Sequence, residues 1–102
     1  MAKQTLCLKP MYLQMVKAVI DTTCPHATVV AYGSRVGGNE RTVHSGTDLD
    51  LAVMDFGPSG TDITDLREAF RESNLPFLVD VFDYHLLPDD FQSEISRNAY
   101  PL

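Results

Sequence analysis

Basic residues are scarce in this chain. Eight Lys and Arg stand against fourteen Asp and Glu in 102 residues, a formal net charge of −6. That balance excludes an unaided grip on nucleic acid, because phosphate backbones are held mainly by clustered cations. Cysteine is scarcer still. Cys7 and Cys24 are the two present, too few for a disulfide framework, and neither stands in a C-x-x-C or Cys/His ligand spacing. They read as ordinary reduced thiols. Long apolar runs are missing: Lys3, Lys9 and Lys17 interrupt the N-terminal segment, which gives neither a signal peptide nor a membrane span. The expected location is the cytoplasm. Two familiar phosphate loops also fail. Arg35 stands where G-x-G-x-x-G needs its second glycine, and Asn39 follows Gly38 where G-x-x-x-x-G-K-[ST] needs lysine.

What is present is the composition of a folded domain. Hydrophobic residues at 44% and charged residues at 22% lie near globular averages and away from disorder. The length, 1–102, suits a single small domain, with no repeat, linker or low-complexity segment inside it. Tyr12, Met15, Val16, Val19 and Ile20 recur at helical spacing, so a first helix is expected from Pro10 to about Thr22. Ala27 to Gly33 is short and β-branched and reads as a strand that delivers Gly33-Ser34 at its C-terminal end. Thr47 to Phe56 alternates as a second strand, with Asp48 and Asp50 on one face and Leu49 and Leu51 on the other. A turn at Gly57 to Gly60 precedes a helix expected to be capped by Thr61, with Ile63, Leu66 and Phe70 as its buried stripe. Leu75 to Tyr84 reads as a third strand in which Leu78, Asp80 and Phe82 point one way. Pro88-Asp89-Asp90 opens a last helix with Phe91 and Ile95 on its buried face.

Chemistry is expected where carboxylates meet apolar strands. Burying an unpaired carboxylate costs several kcal/mol, so Asp48, Asp50 and Asp80 need cations or a place at the strand ends. Hard divalent ions such as Mg²⁺ take oxygen ligands, typically one or two carboxylates plus substrate phosphates, and two ions can clamp the attacking and leaving oxygens of a displacement. Gly33-Ser34 followed by Arg35 offers a close backbone approach, a hydroxyl and a guanidinium, all suited to phosphate. Each feature alone also suits an ordinary turn or a solvated strand face. His26, His44 and His85 share no metal or triad spacing and read as surface or satisfied residues. Asp83 lies an odd number of positions from Asp80 and should face the other way, as a structural or supporting residue.

Taken together, Gly33-Ser34-Arg35, then Asp48-Leu49-Asp50-Leu51, then Val79-Asp80-Val81 resemble the nucleotidyltransferases of the DNA polymerase beta superfamily. The chain looks like a minimal nucleotidyltransferase (MNT) over nearly its whole length. The resemblance implies an α+β fold, a small mixed β-sheet with helices packed against it, whose strands carry the acids to one rim. It implies a two-ion Mg²⁺ site on Asp48, Asp50 and Asp80, with the paired Asp48 and Asp50 holding the ions that neutralise the triphosphate of ATP. It further implies that Asp80 helps to activate the acceptor hydroxyl, that Gly33 and Ser34 hold the phosphates, and that Arg35 is their charge partner. It also implies a partner, because minimal members are antitoxins of a helical HEPN-domain RNase and transfer AMP to one of its tyrosines. The chain departs from the pattern in the thirteen residues between Ser34 and Asp48, a longer loop than usual, and in Thr47 where serine commonly precedes the first aspartate. The loop from Val36 to Gly46 is expected to be mobile until nucleotide or partner arrives. A rival expectation is a binding module that neutralises its partner by stoichiometric contact, although such a binder needs none of the three aspartates.

Overall fold

The computed structural model describes residues 5–37, 46–58 and 62–102. Most of the Val36 to Gly46 loop, with His44 in it, therefore lies outside the described residues, as does Thr61. Helix α1 runs from Pro10 to Thr23 with proline in its first turn, where a missing N–H costs nothing, and closes with the Cys24 N–H donating to Ile20 O at 2.7 Å. Strand β1, Thr28–Tyr32, pairs antiparallel with β2, Leu49–Asp55. Helix α2, Ile63–Arg71, is capped by Asp62, whose side chain accepts from the Thr64 and Asp65 N–H groups while Asp65 accepts from the Asp62 N–H. This reciprocal capping box fixes the helix start.

Strand β3, Val79–Asp83, runs parallel to β2, and α2 makes the crossover that parallel pairing demands. A 3₁₀ turn, Tyr84–Leu86, leads to helix α3, Asp89–Asn98, and a two-residue strand β4, Tyr100–Pro101, closes on the free side of β1. The sheet order is β3-β2-β1-β4. Among the described residues, three α-helices on a mixed four-stranded sheet make the α+β architecture that the sequence led us to expect. Among the described residues no helix is long and apolar enough to cross a membrane.

Strand alternation gives the sheet two different faces. Val29, Ala31, Leu49, Leu51, Val53 and Val81 meet Val16 and Ile20 of α1 and Leu66 and Phe70 of α2 in the main core. Full burial of a Leu or Val side chain contributes about 1.5–3 kcal/mol, so this layer holds the fold. Val30, Tyr32 and Ala52 face the other way, toward Ile95 of α3. Two expectations are corrected here. Phe91, expected on the buried face of α3, is 45% exposed, leaving Ile95 as the buried anchor, and the third strand starts at Val79 and not at Leu75, with Leu78 69% exposed just before it.

Candidate active site

The α3 face of the sheet carries the acids because Leu49 and Leu51 are wholly buried on the opposite face. Period two then turns Asp50 outward with Asp48 two residues before it. Register completes the row: Asp50 is paired with Asp80 across the parallel ladder and with Tyr32 across the antiparallel one. Tyr32, Asp50 and Asp80 thus line up across β1, β2 and β3, directly above a second row of Val30, Ala52 and Phe82. Asp48 is exposed beyond the strand end, whereas Asp50 and Asp80 are half-buried.

The β1 strand ends on Gly33, which has φ +84°, a region that only glycine enters easily. A β-carbon at this position would stand 2.6 Å from Asp50 Oδ2, so the missing side chain lets the backbone pass over the carboxylate. Gly33 O accepts from the Val36 N–H at 3.1 Å, closing a tight turn that leaves Ser34 exposed at its tip. The Gly-Ser turn and the aspartate row therefore share one rim of the sheet.

Arg35 is placed elsewhere. It is 4% exposed, its Nε and Nη2 donate to Thr47 O at 3.0 and 2.8 Å, and Nη1 donates to Cys7 O at 2.7 Å. Its guanidinium also lies 4.6 Å from the centroid of the Phe77 ring. The expected charge partner of the phosphates is instead a buried strut whose fork holds the carbonyl just before Asp48. A planar guanidinium makes such a bidentate grip and an ammonium does not.

Crowding of acids sets the electrostatics. Burial, then the charges of Asp80 and Asp48, raise the Asp50 pKa above the ordinary aspartate value. The Tyr32 phenol is pushed up to about 12 by burial and by Asp50, Asp80 and Glu94. Tyr32 and Glu94 escaped the sequence reading because their nearness to the acids depends on strand pairing and on where α3 lands. Of the other candidates, Asp83 accepts from the His85 N–H at 3.0 Å and caps the 3₁₀ turn, a structural role. His85 Nε2 lies 3.0 Å from Met54 O, and His26 is exposed. Cys7 and Cys24 are free thiols.

The aspartates are hard oxygen donors in a shared negative field, which fits Mg²⁺ better than a soft metal. No group of three or more His, Cys, Asp or Glu side chains stands ready to cage an ion among the described residues. Mg²⁺ does not ask for an all-protein cage, since it is normally held by one or two carboxylates with substrate phosphates and water completing the shell.

A sheet with Gly-Ser beside paired strand carboxylates, two helices behind it and one in front, defines a small nucleotidyltransferase. No protein-family model matches the chain. It is 40% identical over 96 residues to the probable protein adenylyltransferase MntA of Haemophilus influenzae, across 93% of this chain and 81% of that protein. The chain belongs to the minimal nucleotidyltransferases, and it is an enzyme of that class.

Proposed function

We propose that the protein transfers AMP from ATP, with Mg²⁺, to a tyrosine hydroxyl of a HEPN-domain toxin and so acts as its antitoxin in the cytoplasm. The observation that carries this reading is the strand register, which sets Asp50 beside Asp80 and under the Gly33 turn. The similarity to a protein named as a probable protein adenylyltransferase supports AMP as the group and protein as the acceptor class.

In this reading Asp48 and Asp50 seat the metal, which when bound neutralises the triphosphate and stabilises charge on the leaving pyrophosphate. Gly33 and the exposed Ser34 lie against the phosphates, and Arg35 fixes the chain before Asp48. The acceptor oxygen forms a bond to the α-phosphorus, the bond from that phosphorus to the bridging oxygen breaks, and pyrophosphate leaves with the electron pair. Asp80 takes the hydroxyl proton. Alignment of these groups on one rigid sheet supplies the positioning that in-line displacement needs.

Purified protein with Mg²⁺, labelled ATP and the HEPN-domain partner should label one tyrosine of that partner and silence it. Asp48→Asn and Asp50→Asn should each abolish labelling and neutralisation. Neutralisation that survives both substitutions would establish the stoichiometric binder instead.

A further inference from the structure

Beyond the candidate active site, on the outer side of β3, lies a groove of about 390 Å³. Its lining includes Arg67 and Arg71 of α2, Phe77 and Leu78 from the segment before β3, and Asp80 itself. Among the described residues β3 is the outermost strand, and no strand neighbours this flank of the sheet. Leu49 N–H donates to Leu78 O toward β2, so the alternating groups of Val79 and Val81 face outward. Arg67 Nε donates to Val81 O at 2.9 Å, which anchors the guanidinium at the groove wall and leaves its terminal amino groups for other acceptors. Arg71 is exposed on the next turn of the helix, and neither arginine makes an ion pair with a described residue.

Three features say what this groove fits. In a chain with a net charge of −6, two of eight basic residues converge here on one wall. Exposed Leu78 and buried Phe77 provide an apolar floor beside them. Asp80 belongs both to the groove's lining and to the aspartate row, one strand beyond Asp50 on the side away from Gly33-Ser34. In-line displacement requires the nucleophile to enter opposite the leaving pyrophosphate. With phosphates at the Gly-Ser turn, the nucleophile enters from the Asp80 side.

We propose that this groove seats the protein acceptor as an extended segment, with an acidic residue of that segment on Arg67 and Arg71, an apolar one on Leu78, and the hydroxyl delivered to Asp80. The inference rests on the protein-acceptor reading above and adds the chemistry that selects the acceptor. Nucleic acid is disfavoured, because two arginines beside a carboxylate row make too small a cationic footprint for a phosphate chain.

The test uses two fluorescent tyrosine peptides, one flanked by aspartate and leucine, the other by lysine and leucine, with binding read by anisotropy on the intact protein. The wild type should bind the acidic peptide at least about tenfold more tightly, the scale of one charge-assisted contact. Arg71→Glu should erase or invert that preference, and Leu78→Asp should weaken both peptides, with circular dichroism and Mg-ATP binding unchanged. Equal binding of the two peptides by wild type, or an unchanged preference in Arg71→Glu, overturns the proposal. So does loss of Mg-ATP binding in a folded Arg71→Glu protein, which would give the groove to the nucleotide. Peptide binding needs no turnover, so a chain that shows the preference yet never transfers AMP sinks the catalytic reading and leaves the groove intact.

Discussion

Asp50 is the residue where function and stability pull apart. Its pKa is raised by burial and by Asp80 and Asp48, so the folded state holds its proton more tightly than the unfolded chain does. The associated stability is therefore present below the ordinary aspartate pKa and is lost as pH rises through the raised folded value. At neutral pH the ionised carboxylate is a liability in the free protein, and Asp50→Asn should remove it. We expect a higher Tm for the variant at pH 7, by at most about 4–8 °C once solvent screening of a half-exposed group is allowed for, with that gain vanishing near pH 3. Transfer activity should fall by at least about 100-fold, as expected for loss of transition-state charge stabilisation. Melting curves at the two pH values check the first claim, and a Tm at pH 7 below that of wild type would refute it. Gly33 makes the complementary case. At φ +84°, and with a β-carbon 2.6 Å from Asp50 Oδ2, Gly33→Ala should cost more than about 1 kcal/mol and push Asp50 aside. Urea denaturation measures the first effect, and a lower kcat reports the second.

Elements, rather than single residues, decide where these side chains stand. Arg35 ties the segment before α1 to the residues that lead into β2 through Cys7 O and Thr47 O, so Arg35→Lys should loosen Asp48 and the start of the strand that carries Asp50. Losing the fork leaves a buried carbonyl short of a donor, a loss of roughly 1–3 kcal/mol, and kcat should fall although charge is conserved. A variant as stable and as active as wild type would show that the strut is dispensable. Asp62→Ala removes only the capping box of α2 and should cost about 1 kcal/mol with no change in kcat. The contrast between Asp62 and Arg35 also shows what the sequence could reveal. Local chemistry was legible: alternation in Asp48-Leu49-Asp50-Leu51, Pro10 at a helix start, and a Gly-Ser turn at a strand end. Pairing was not. Tyr32 joins the acids only through antiparallel register, Arg35 turns inward only because Thr47 O, Cys7 O and the Phe77 ring converge on it, and β4 is a two-residue strand containing proline with no pattern to announce it. The cap expected at Thr61 falls to Asp62 among the described residues, since the carboxylate with Asp65 three residues on can form the reciprocal bonds.

For the molecule as a whole, net charge and ligand binding are one problem. A chain with a net charge of −6 that sets Asp48, Asp50 and Asp80 at one rim repels a bare triphosphate, so nucleotide should bind only in company with a divalent cation. Anything that binds the folded state alone stabilises it by RT ln(1 + [L]/Kd), about 2.7 kcal/mol at a hundredfold excess over Kd. For a domain of this size that corresponds to a rise in Tm of roughly 10–20 °C. The expected pattern has three parts: little shift with ATP in EDTA, a modest one with Mg²⁺ alone, and the full shift with both. Asp50→Asn should begin from a higher baseline and show almost no further rise, because the neutral amide removes the repulsion and the metal seat together. An ATP shift of equal size in EDTA and in Mg²⁺ would mean that the nucleotide is held by something other than the aspartate rim. The same titration in rising salt separates the two anion-binding features proposed above. Metal-bridged nucleotide at the half-buried rim should resist screening, whereas an acidic peptide on exposed Arg71 should weaken steeply as the Debye length shrinks from about 10 Å at 0.1 M toward 3 Å at 1 M. Equal salt slopes for the two ligands would place them at one site and erase the division between a nucleotide side at Gly33 and an acceptor side at Asp80.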